Sequence, residues 1–435
     1  MKKRLPKVLM ACVLSAAMLF TACGGGNKSA STNSPSSEKS EKASSEASAS
    51  SSSSASETAS SEDPIYIGWV GPLTGSLAYT GNQTHNACEL ACKNVGEILG
   101  RPVKLLSGDA VDAASAVSEF ERLYEEGCRL FIGSFGSFAD YAIQALVDEN
   151  DCMLMTASGW ADDFTEKGYE NYFMFTPRVK IIAEKAAEVI PQYAEQAGIA
   201  KDDIRIALFG SASYEYVMND TRKALEAAGL NIVVDECYAA DRSDFTSLIS
   251  SFQANDVNVL VPAAQGSSDG PTFLKQMAEL GYKAPLGFSM GLFYDQSDFA
   301  ELGPELTDGW MVIGYTHTYI DPDSTKGVLE FRKQFEEIYG NTPLTHATQT
   351  YSATSFLCDM IEKAGTDDVD KVIEQMRAAD IPKGEYPCYW GVHFDENGNN
   401  LGAANPPCIG QWQNSECVVV GADEIKVKDA ILPMN

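Results

Sequence analysis

The sequence predicts an α/β protein made of two doubly wound parallel-sheet lobes, joined by a three-segment hinge. Short apolar runs of the kind that form buried strands alternate with helix-period segments from residue 64 onward. This alternation favours parallel sheets with helices on both faces. The pattern restarts near residue 179, and the stretch 64–435 is long for one hydrophobic core but suits two lobes.

The first run of elements predicts the sheet of lobe one. We expect buried strands over 65–70, 103–106, 130–133, 153–156 and 172–175. Between them, apolar residues recur at helical spacing over 83–98, 113–126 and 139–149. A turn rich in glycine and threonine over 71–81 separates the first strand from the first helix.

The second run predicts lobe two, and a third stretch completes both lobes. Strands are expected over 204–209, 231–235, 257–261 and 286–288, with helices over 180–195, 214–228, 244–254 and 271–280. A strand over 310–314 follows, then helices over 326–339, 348–364 and 368–378 and antiparallel strands over 390–394, 409–413 and 416–420. Assigning those helices to lobe one and those strands to lobe two gives lobes of 64–178 plus 315–385, and 179–314 plus 386–435. The chain would then cross between the lobes three times.

The first residues indicate export. Four basic residues precede an apolar run over 8–20, which is too short to span a bilayer comfortably and suits a signal-peptide core. Thr21, Ala22 and Cys23 then resemble a bacterial lipobox, with Phe20 where leucine is usual. This resemblance implies that residues 1–22 are removed and that Cys23 carries a diacylglycerol, which anchors the protein at the extracytoplasmic face of the cell membrane.

The residues that follow predict a tether. The stretch 24–62 has no aromatic residue and no aliphatic side chain larger than alanine. It cannot bury enough apolar surface to offset the entropy of ordering, so we expect 23–62 to be a disordered, serine-rich linker behind the anchor. A flexible chain of this length has an end-to-end distance of roughly 35 Å.

Composition excludes several classes of function. Asp and Glu total 61 against 32 Lys and Arg, which gives a net charge of −29 and argues against a nucleic-acid partner. There is no GxxxxGK[ST] phosphate loop, no HExxH or calcium-loop spacing, and only four histidines, so we expect no cofactor and no metal. Nine cysteines remain after the leader and Cys23, an odd number that leaves at least one thiol unpaired.

Five stretches, in order and spacing, resemble the type I periplasmic binding proteins of the branched-chain amino-acid family. They are IGWVGPLTGSLAYTGNQ (67–83), FIGSFGS (131–137), MTASGWADDFTEKGYENYFMFTP (155–177), IALFGSASY (206–214) and DFTSLISSFQANDVNVLV (244–261). The resemblance implies a non-enzymatic protein whose cleft closes over a small solute. It also implies an ABC permease with a cytoplasmic ATPase as partner.

The first candidate site residue is Ser137, in a loop beyond the carboxyl end of a strand, where doubly wound sheets bind ligands. Ser137 is placed to cap the next helix, with Asp140 completing a capping box. The start of such a helix suits a carboxylate, and the resemblance implies that Ser137 helps to hold one. A plain cap is the alternative, since serine is common at helix starts.

The next loop contributes Ser158 and Trp160, which match positions that contact the charged end of the ligand in the family. Trp160 departs from the family pattern, in which a small hydroxyl residue is usual. An indole there would fill space, stack on a flat ligand or contact an ammonium through a cation–π interaction. Packing between the lobes is the alternative reading of Trp160.

Two further loops at strand ends contribute three more contacts that the resemblance implies. Tyr79 matches a residue that covers the pocket from the first loop, Tyr214 matches an aromatic wall on lobe two, and Gln265 lies where an aromatic or polar contact is frequent. For Tyr214 and Gln265, an ordinary surface loop is the alternative.

One departure from the family concerns the ammonium group of the ligand. Amino-acid-binding members place an acidic residue on lobe two, and the matching stretch 287–291 (GFSMG) has none. A buried ammonium without a partner is costly. An amino acid, branched-chain or aromatic, is therefore expected from the resemblance, with an aromatic or aliphatic carboxylate or an amide as the competing class.

The same stretch also matches GxSxG, the nucleophile elbow of serine hydrolases, with Ser289 as the nucleophile. Three histidines follow it, so the chain order permits a triad. The preceding strand is short and interrupted by Pro285, and the sequence has no HGGG-type oxyanion loop. A serine hydrolase is therefore a minor alternative.

Overall fold

The structure is a computed structural model that describes residues 63–75, 77–133, 135–266, 269–290, 297–313, 320–403 and 408–434. The predicted signal peptide (1–22), the proposed anchor Cys23 and the predicted tether (23–62) lie outside the described residues.

The first lobe is built on a mainly parallel sheet. In the part of the chain that is described, its strands are β1 (Ile65–Gly71), β2 (Glu97–Ile98), β3 (Arg101–Asp109), β4 (Leu130–Gly133), β5 (Met153–Thr156) and β6 (Tyr172–Met174). They lie in the order β2-β3-β1-β4-β5-β6, and only the short β2–β3 pair is antiparallel. β4 and β5 are buried along their whole length, as their uninterrupted apolar sequences predict for strands covered on both faces.

Helices cover both faces of this sheet. They are α1 (Ala78–Val95), α2 (Ala113–Glu125) and α3 (Ser137–Glu149). On one face, Phe120 of α2 packs against Phe131 of β4 with ring centroids 5.0 Å apart. α1 begins five residues before its predicted start at 83, because the turn before it is short: Asp109 accepts hydrogen bonds from Leu73 N (2.8 Å) and Thr74 N (3.1 Å).

The second lobe is built on another mainly parallel sheet. Among the described residues its strands are β7 (Ile206–Ser211), β8 (Ile232–Tyr238), β9 (Val259–Ala264), β10 (Leu286–Ser289), β11 (Met311–Ile313), β12 (Ile409–Gln413) and β13 (Glu416–Gly421). Their order is β13-β12-β11-β10-β9-β7-β8, with β12 and β13 antiparallel at one edge. The flanking helices are α4 (Val179–Gln196), α5 (Glu215–Ala227), α6 (Thr246–Ala254), α7 (Gly270–Glu279), α8 (Ser297–Ala300) and α9 (Pro304–Thr307). These two mixed sheets with helices on both sides confirm the predicted fold class.

Three further helices follow: α10 (Val328–Tyr339), α11 (Thr345–Ala364) and α12 (Val369–Arg377). Phe356 and Leu357 of α11 are buried in the core of the first lobe, against β1, β4 and β5. α11 is unusually polar for a buried helix. Its hydroxyls bond to carbonyl groups one turn back, as Thr350 Oγ1 does to His346 O at 2.8 Å, so they need no other partner.

The segment 386–403 corrects the sequence analysis, which assigned it to lobe two. The predicted strand 390–394 does not form, and the segment makes only isolated bridges. Trp390, Val392 and Phe394 are buried in the core of the first lobe. The Phe394 ring lies 5.0 Å from the Phe173 ring of β6, where the edge of the sheet offers a large apolar surface.

Other expectations concern cysteine, metal and membrane spans. The nine cysteines of the described residues form no disulfide bond. Within the described ranges, no group of His, Cys, Asp and Glu side chains could hold a metal ion. No helix in the described part of the chain has the length and apolarity needed to cross a membrane.

Candidate functional site

A cavity of about 360 Å³ lies where the carboxyl ends of strands from both lobes meet. The first lobe contributes the starts of α1, α3 and α11 and the loop after β5, and the second lobe contributes the start of α5. The lining residues are Leu77, Phe135, Gly136, Ser137, Phe138, Ser158, Trp160, Ser213, Tyr214, Tyr216 and His346. This is the location at which doubly wound sheets bind ligands, and the volume suits a small molecule.

The start of α3 forms one wall. Gly136 is the N-cap residue, with φ +100°, a left-handed conformation that favours glycine. No side chain of the described residues caps this helix. The predicted capping box is therefore wrong: Ser137 is the first helical residue, and Asp140 is completely buried behind it. Because Gly136 and Ser137 line the cavity, the positive end of the helix dipole borders it.

The loop after β5 is held tightly on the first sheet. Gly159 N donates to Thr156 Oγ1 (3.1 Å), and Gly159 O accepts from Thr176 Oγ1 (2.8 Å). A Cβ on residue 159 would lie 2.6 Å from Thr156 Oγ1, so the approach requires glycine. These contacts fix the backbone between Ser158 and Trp160, both of which line the cavity.

Ser158 is the polar group that most directly indicates a ligand. Its side chain is 4% exposed, and its hydroxyl has no hydrogen-bond partner among the described residues. Buried hydroxyls are nearly always satisfied in folded proteins. A polar group of a bound solute would supply the missing partner.

Trp160 lies between the two lobes. Its ring belongs to the hydrophobic core of the second lobe, although the loop that carries it follows a strand of the first. The Trp160 carbonyl accepts a hydrogen bond from Val179 N, the first residue of α4, at 3.3 Å. The residue thus packs between lobes and also lines the cavity.

Tyr214 lines the cavity from the second lobe. It is the last residue of a 3₁₀ turn (Ala212–Tyr214) and immediately precedes α5, and Ser211 Oγ accepts from Ser213 N (3.3 Å) to fix that turn. Burial, and then the charge of Asp269, raise the pKa of the Tyr214 phenol. The hydroxyl therefore stays neutral at physiological pH and can donate a hydrogen bond.

His346 lines the cavity, and the sequence analysis did not predict it. It is the second residue of α11 and is 1% exposed. Its ring meets that of Phe135 edge-on, with centroids 4.9 Å apart, and lies 6.5 Å from the Trp160 ring. Burial lowers the pKa of His346 to about 4, so the imidazole is neutral at physiological pH. The only available sequence signal was a histidine within a polar helix, since its closest cavity partners are far away in the chain.

Two predicted site residues lie apart from the other four. Tyr79 is in the first turn of α1 and is 45% exposed, whereas Leu77 from the same loop lines the cavity. Gln265 is fully buried and donates a hydrogen bond to Tyr238 Oη at 2.9 Å. Tyr238 in turn donates to Asp269. Neither Tyr79 nor Gln265 is among the residues that line this cavity.

Ser289, the candidate hydrolase nucleophile, lies in a strand and not on an exposed turn. It is the last residue of β10, pairs with Val312 of β11, and is fully buried. A nucleophile elbow instead exposes its serine on a sharp turn between a strand and a helix.

Comparison with known proteins identifies the family. A family profile described as periplasmic binding protein matches residues 64–404. The chain belongs to the periplasmic binding protein family. A relative from Brucella melitensis, named Leu/Ile/Val-binding protein homolog 7, is 26% identical over 384 residues, which cover 86% of this chain and 96% of the relative.

Solved structures of other periplasmic binding proteins share the fold. A branched-chain amino acid transporter substrate-binding protein from Streptococcus pneumoniae, in complex with isoleucine, has a TM-score of 0.70 at 18% identity, covering 82% of this chain and 99% of that one. A solute-binding protein of an ABC transporter from R. palustris, in complex with benzoate, has a TM-score of 0.68 at 19% identity, covering 84% and 98%. At these identities the likeness shows the fold alone.

Proposed function

We propose that this chain captures a small solute bearing a carboxylate outside the cytoplasm and delivers it to an ABC permease with a cytoplasmic ATPase. The observation that carries the proposal is the buried, unpaired Ser158 hydroxyl in a cavity that the uncapped start of α3 also borders, within the described residues.

The chemistry of these two groups suits a carboxylate. A helix start without a cap presents backbone N–H donors and a positive dipole end, both of which favour an anion. A serine hydroxyl adds a donor that can rotate towards a carboxylate oxygen. Hydrogen bonds to a charged group contribute about 1.5–3 kcal/mol each, more than those between neutral groups.

Capture would proceed by closure of the two lobes. Ser137, Ser158 and His346 belong to the first lobe, whereas Ser213 and Tyr214 belong to the second. A solute that contacts both walls binds the closed arrangement more tightly than the open one and so shifts the population towards closure. The predicted three-segment hinge, with lobes over 64–178 plus 315–385 and over 179–314 plus 386–435, remains part of this proposal, with Trp390, Val392 and Phe394 assigned to the first lobe because they pack in its core.

The names of related proteins support the class of solute. The Brucella relatives are named for leucine, isoleucine and valine, and the two solved complexes contain isoleucine and benzoate. All of these solutes carry one carboxylate on an apolar body. Retention at the membrane through Cys23 is also part of the proposal and would keep the captured solute close to the permease.

A binding assay with a matched substitution tests the proposal. We would screen benzoate, 3-phenylpropanoate, 4-methylpentanoate, L-phenylalanine and L-leucine by thermal shift, and measure the affinity of each ligand that stabilises the protein by calorimetry. Ser158→Ala should weaken binding of the best carboxylate by roughly 10- to 100-fold, because it removes one hydrogen bond to a charged group.

The control is Ser250→Ala. Ser250 lies on α6, where its hydroxyl bonds to Thr246 O at 2.8 Å, and it does not line the cavity. This variant should bind the same ligand with unchanged affinity. If no compound of the panel stabilises the parent protein at 10 mM, or if Ser158→Ala binds as tightly as the parent, the proposal is wrong.

A further inference from the structure

We propose that the solute is a planar aromatic monocarboxylate without an ammonium group. This inference rests on the proposed function and narrows its solute class. The cavity is lined by aromatic rings, its described walls are uncharged, and the stretch 287–291 contains no acidic residue.

Aromatic rings line the cavity on both sides. Phe135, Trp160 and His346 form a connected group on the first-lobe side, with ring centroids 4.9 Å apart for Phe135 and His346 and 6.5 Å apart for Trp160 and His346. Tyr214 and Tyr216 face them from the second lobe. Ring faces and edges contact a flat π-system favourably in stacked or edge-on arrangements, which a puckered or branched aliphatic body reproduces less well.

The anionic end of the solute has a defined partner. Ser158 supplies an unpaired buried hydroxyl among the described residues, and the start of α3 supplies backbone donors beside it. An aromatic acid whose carboxylate lies at these groups would place its ring among the aromatic side chains that line the same cavity. The site then suits a solute with a negative charge at one end and an uncharged body at the other.

The second lobe presents no charge complementary to an ammonium in the described part of the lining. The stretch 287–291 has no acidic residue, and Met290 within it is 1% exposed and packed in the core of the second lobe. Asp269 is close enough to influence Tyr214 electrostatically, but its carboxylate already accepts hydrogen bonds from Tyr238 and Gly266 N. Cation–π contacts with the rings would return only part of the hydration that an ammonium loses on entry.

His346 suits a neutral solute body. The groups that face its ring are Phe135 and Trp160, which carry no charge, and the Gln349 side chain one turn along α11. A neutral imidazole offers one donor and one acceptor. It therefore accommodates an unsubstituted ring or an uncharged polar substituent such as a hydroxyl, without requiring a charge on the solute.

The test uses pairs of solutes that differ in one property, with the parent protein throughout. 3-Phenylpropanoate and L-phenylalanine differ in the ammonium group, as do 4-methylpentanoate and L-leucine. Benzoate and cyclohexanecarboxylate have the same charge and nearly the same size but differ in planarity. We expect the compound without the ammonium to bind at least 100-fold more tightly in the first two pairs, and benzoate at least 10-fold more tightly in the third.

The outcomes separate this inference from the proposed function. Equal or tighter binding of L-phenylalanine and L-leucine overturns the absence of an ammonium, and equal binding of cyclohexanecarboxylate and benzoate overturns the preference for a planar ring. Either result leaves solute capture intact. A complete absence of binding across the panel would instead refute the proposed function, and this inference with it.

Discussion

Two helix starts in the first lobe differ in a way that bears on function. α2 begins with a complete capping box: Asp112 accepts from Ser115 N at 2.8 Å, and Ser115 Oγ accepts from Asp112 N at 3.0 Å. α3 begins at Gly136 without any side-chain cap from the described residues. The start of α2 is exposed to solvent, whereas the start of α3 lines the cavity.

The comparison shows how one sheet supports both structural and binding helix starts. A capped start has its donors satisfied by its own side chains and so has little left to offer a solute. An uncapped start beside a cavity leaves the backbone N–H groups of its first turn available to a solute in that cavity. Both helices follow parallel strands of the same sheet. The difference between a capped and an uncapped start therefore comes from one or two residues at the start of each helix.

The largest expected effect comes from placing a negative charge at the start of α3, which lines the cavity. Ser137→Asp puts a carboxylate at the first residue of α3, where it takes the place of the solute's anion and repels it. At about 4 Å and an effective dielectric constant of about 20, the repulsion is about 4 kcal/mol, which corresponds to about 1000-fold weaker binding of a carboxylate ligand. Isothermal titration calorimetry with the best carboxylate of the panel measures this.

The matched control places the same charge at the start of α2. Ala113 is the first residue of α2 and is exposed, so Ala113→Asp changes the helix start and net charge equally but lies outside the cavity. We expect its affinity for the ligand to equal that of the parent. Similar losses in both variants would show that net charge, rather than the position of α3, controls binding.

The start of α11 extends the comparison to pH. Burial depresses the folded-state pKa of His346 from 6.5 to about 4. Below pH 6.5 the unfolded chain therefore takes up a proton that the folded protein excludes, and stability falls until the pH reaches about 4. The full effect is about 3 kcal/mol, present above pH 6.5 and lost as the pH falls.

Urea unfolding at pH 7.5, 5.5 and 4.5 tests this sign and size. The free energy of unfolding of the parent should fall more steeply with decreasing pH than that of His346→Gln, which has no imidazole to protonate. Parallel slopes for the two proteins would mean that His346 titrates normally and is not buried as described.

The smallest expected effect comes from removing the cap of α2. Asp112→Ala removes the cap of α2 and should lower the midpoint of thermal unfolding by roughly 2 °C. Hydrogen bonding from Ser115 N lowers the pKa of Asp112, so the cap is intact at neutral pH and weakens only in acid. Ligand affinity should remain unchanged in calorimetry. A loss of affinity here would contradict the separation of structural and binding starts.

Regular elements with a clear apolar period could be predicted from the sequence. β4 and β5 match their predicted bounds, and α4 differs from its prediction by one residue at each end. The strand predicted over 390–394 was assigned to lobe two and does not form, because its alternating apolar residues suit either a strand or a segment packed on the edge of another sheet. Tertiary contact with Phe173, far away in the chain, decides between them.

The site was predicted in part, for a related reason. Ser137, Ser158, Trp160 and Tyr214 follow strands, so the rule that ligands bind at strand ends located them, and the structure brings them to one cavity. His346 is on α11 and reaches the cavity only because α11 packs into the first lobe beside the strand ends. Tyr79 was expected in a loop, but α1 starts early and leaves Leu77 as the residue that lines the cavity.

The hydrogen bond from Val179 N to the Trp160 carbonyl joins the loop after β5, which lines the cavity, to the first helix of the second lobe. The lobe closure that we propose would therefore act on the same short backbone stretch that carries Ser158. Solute binding and the angle between the lobes would then change together. A docking partner that contacts both lobes would distinguish the bound form from the empty form by this angle, without contacting the solute.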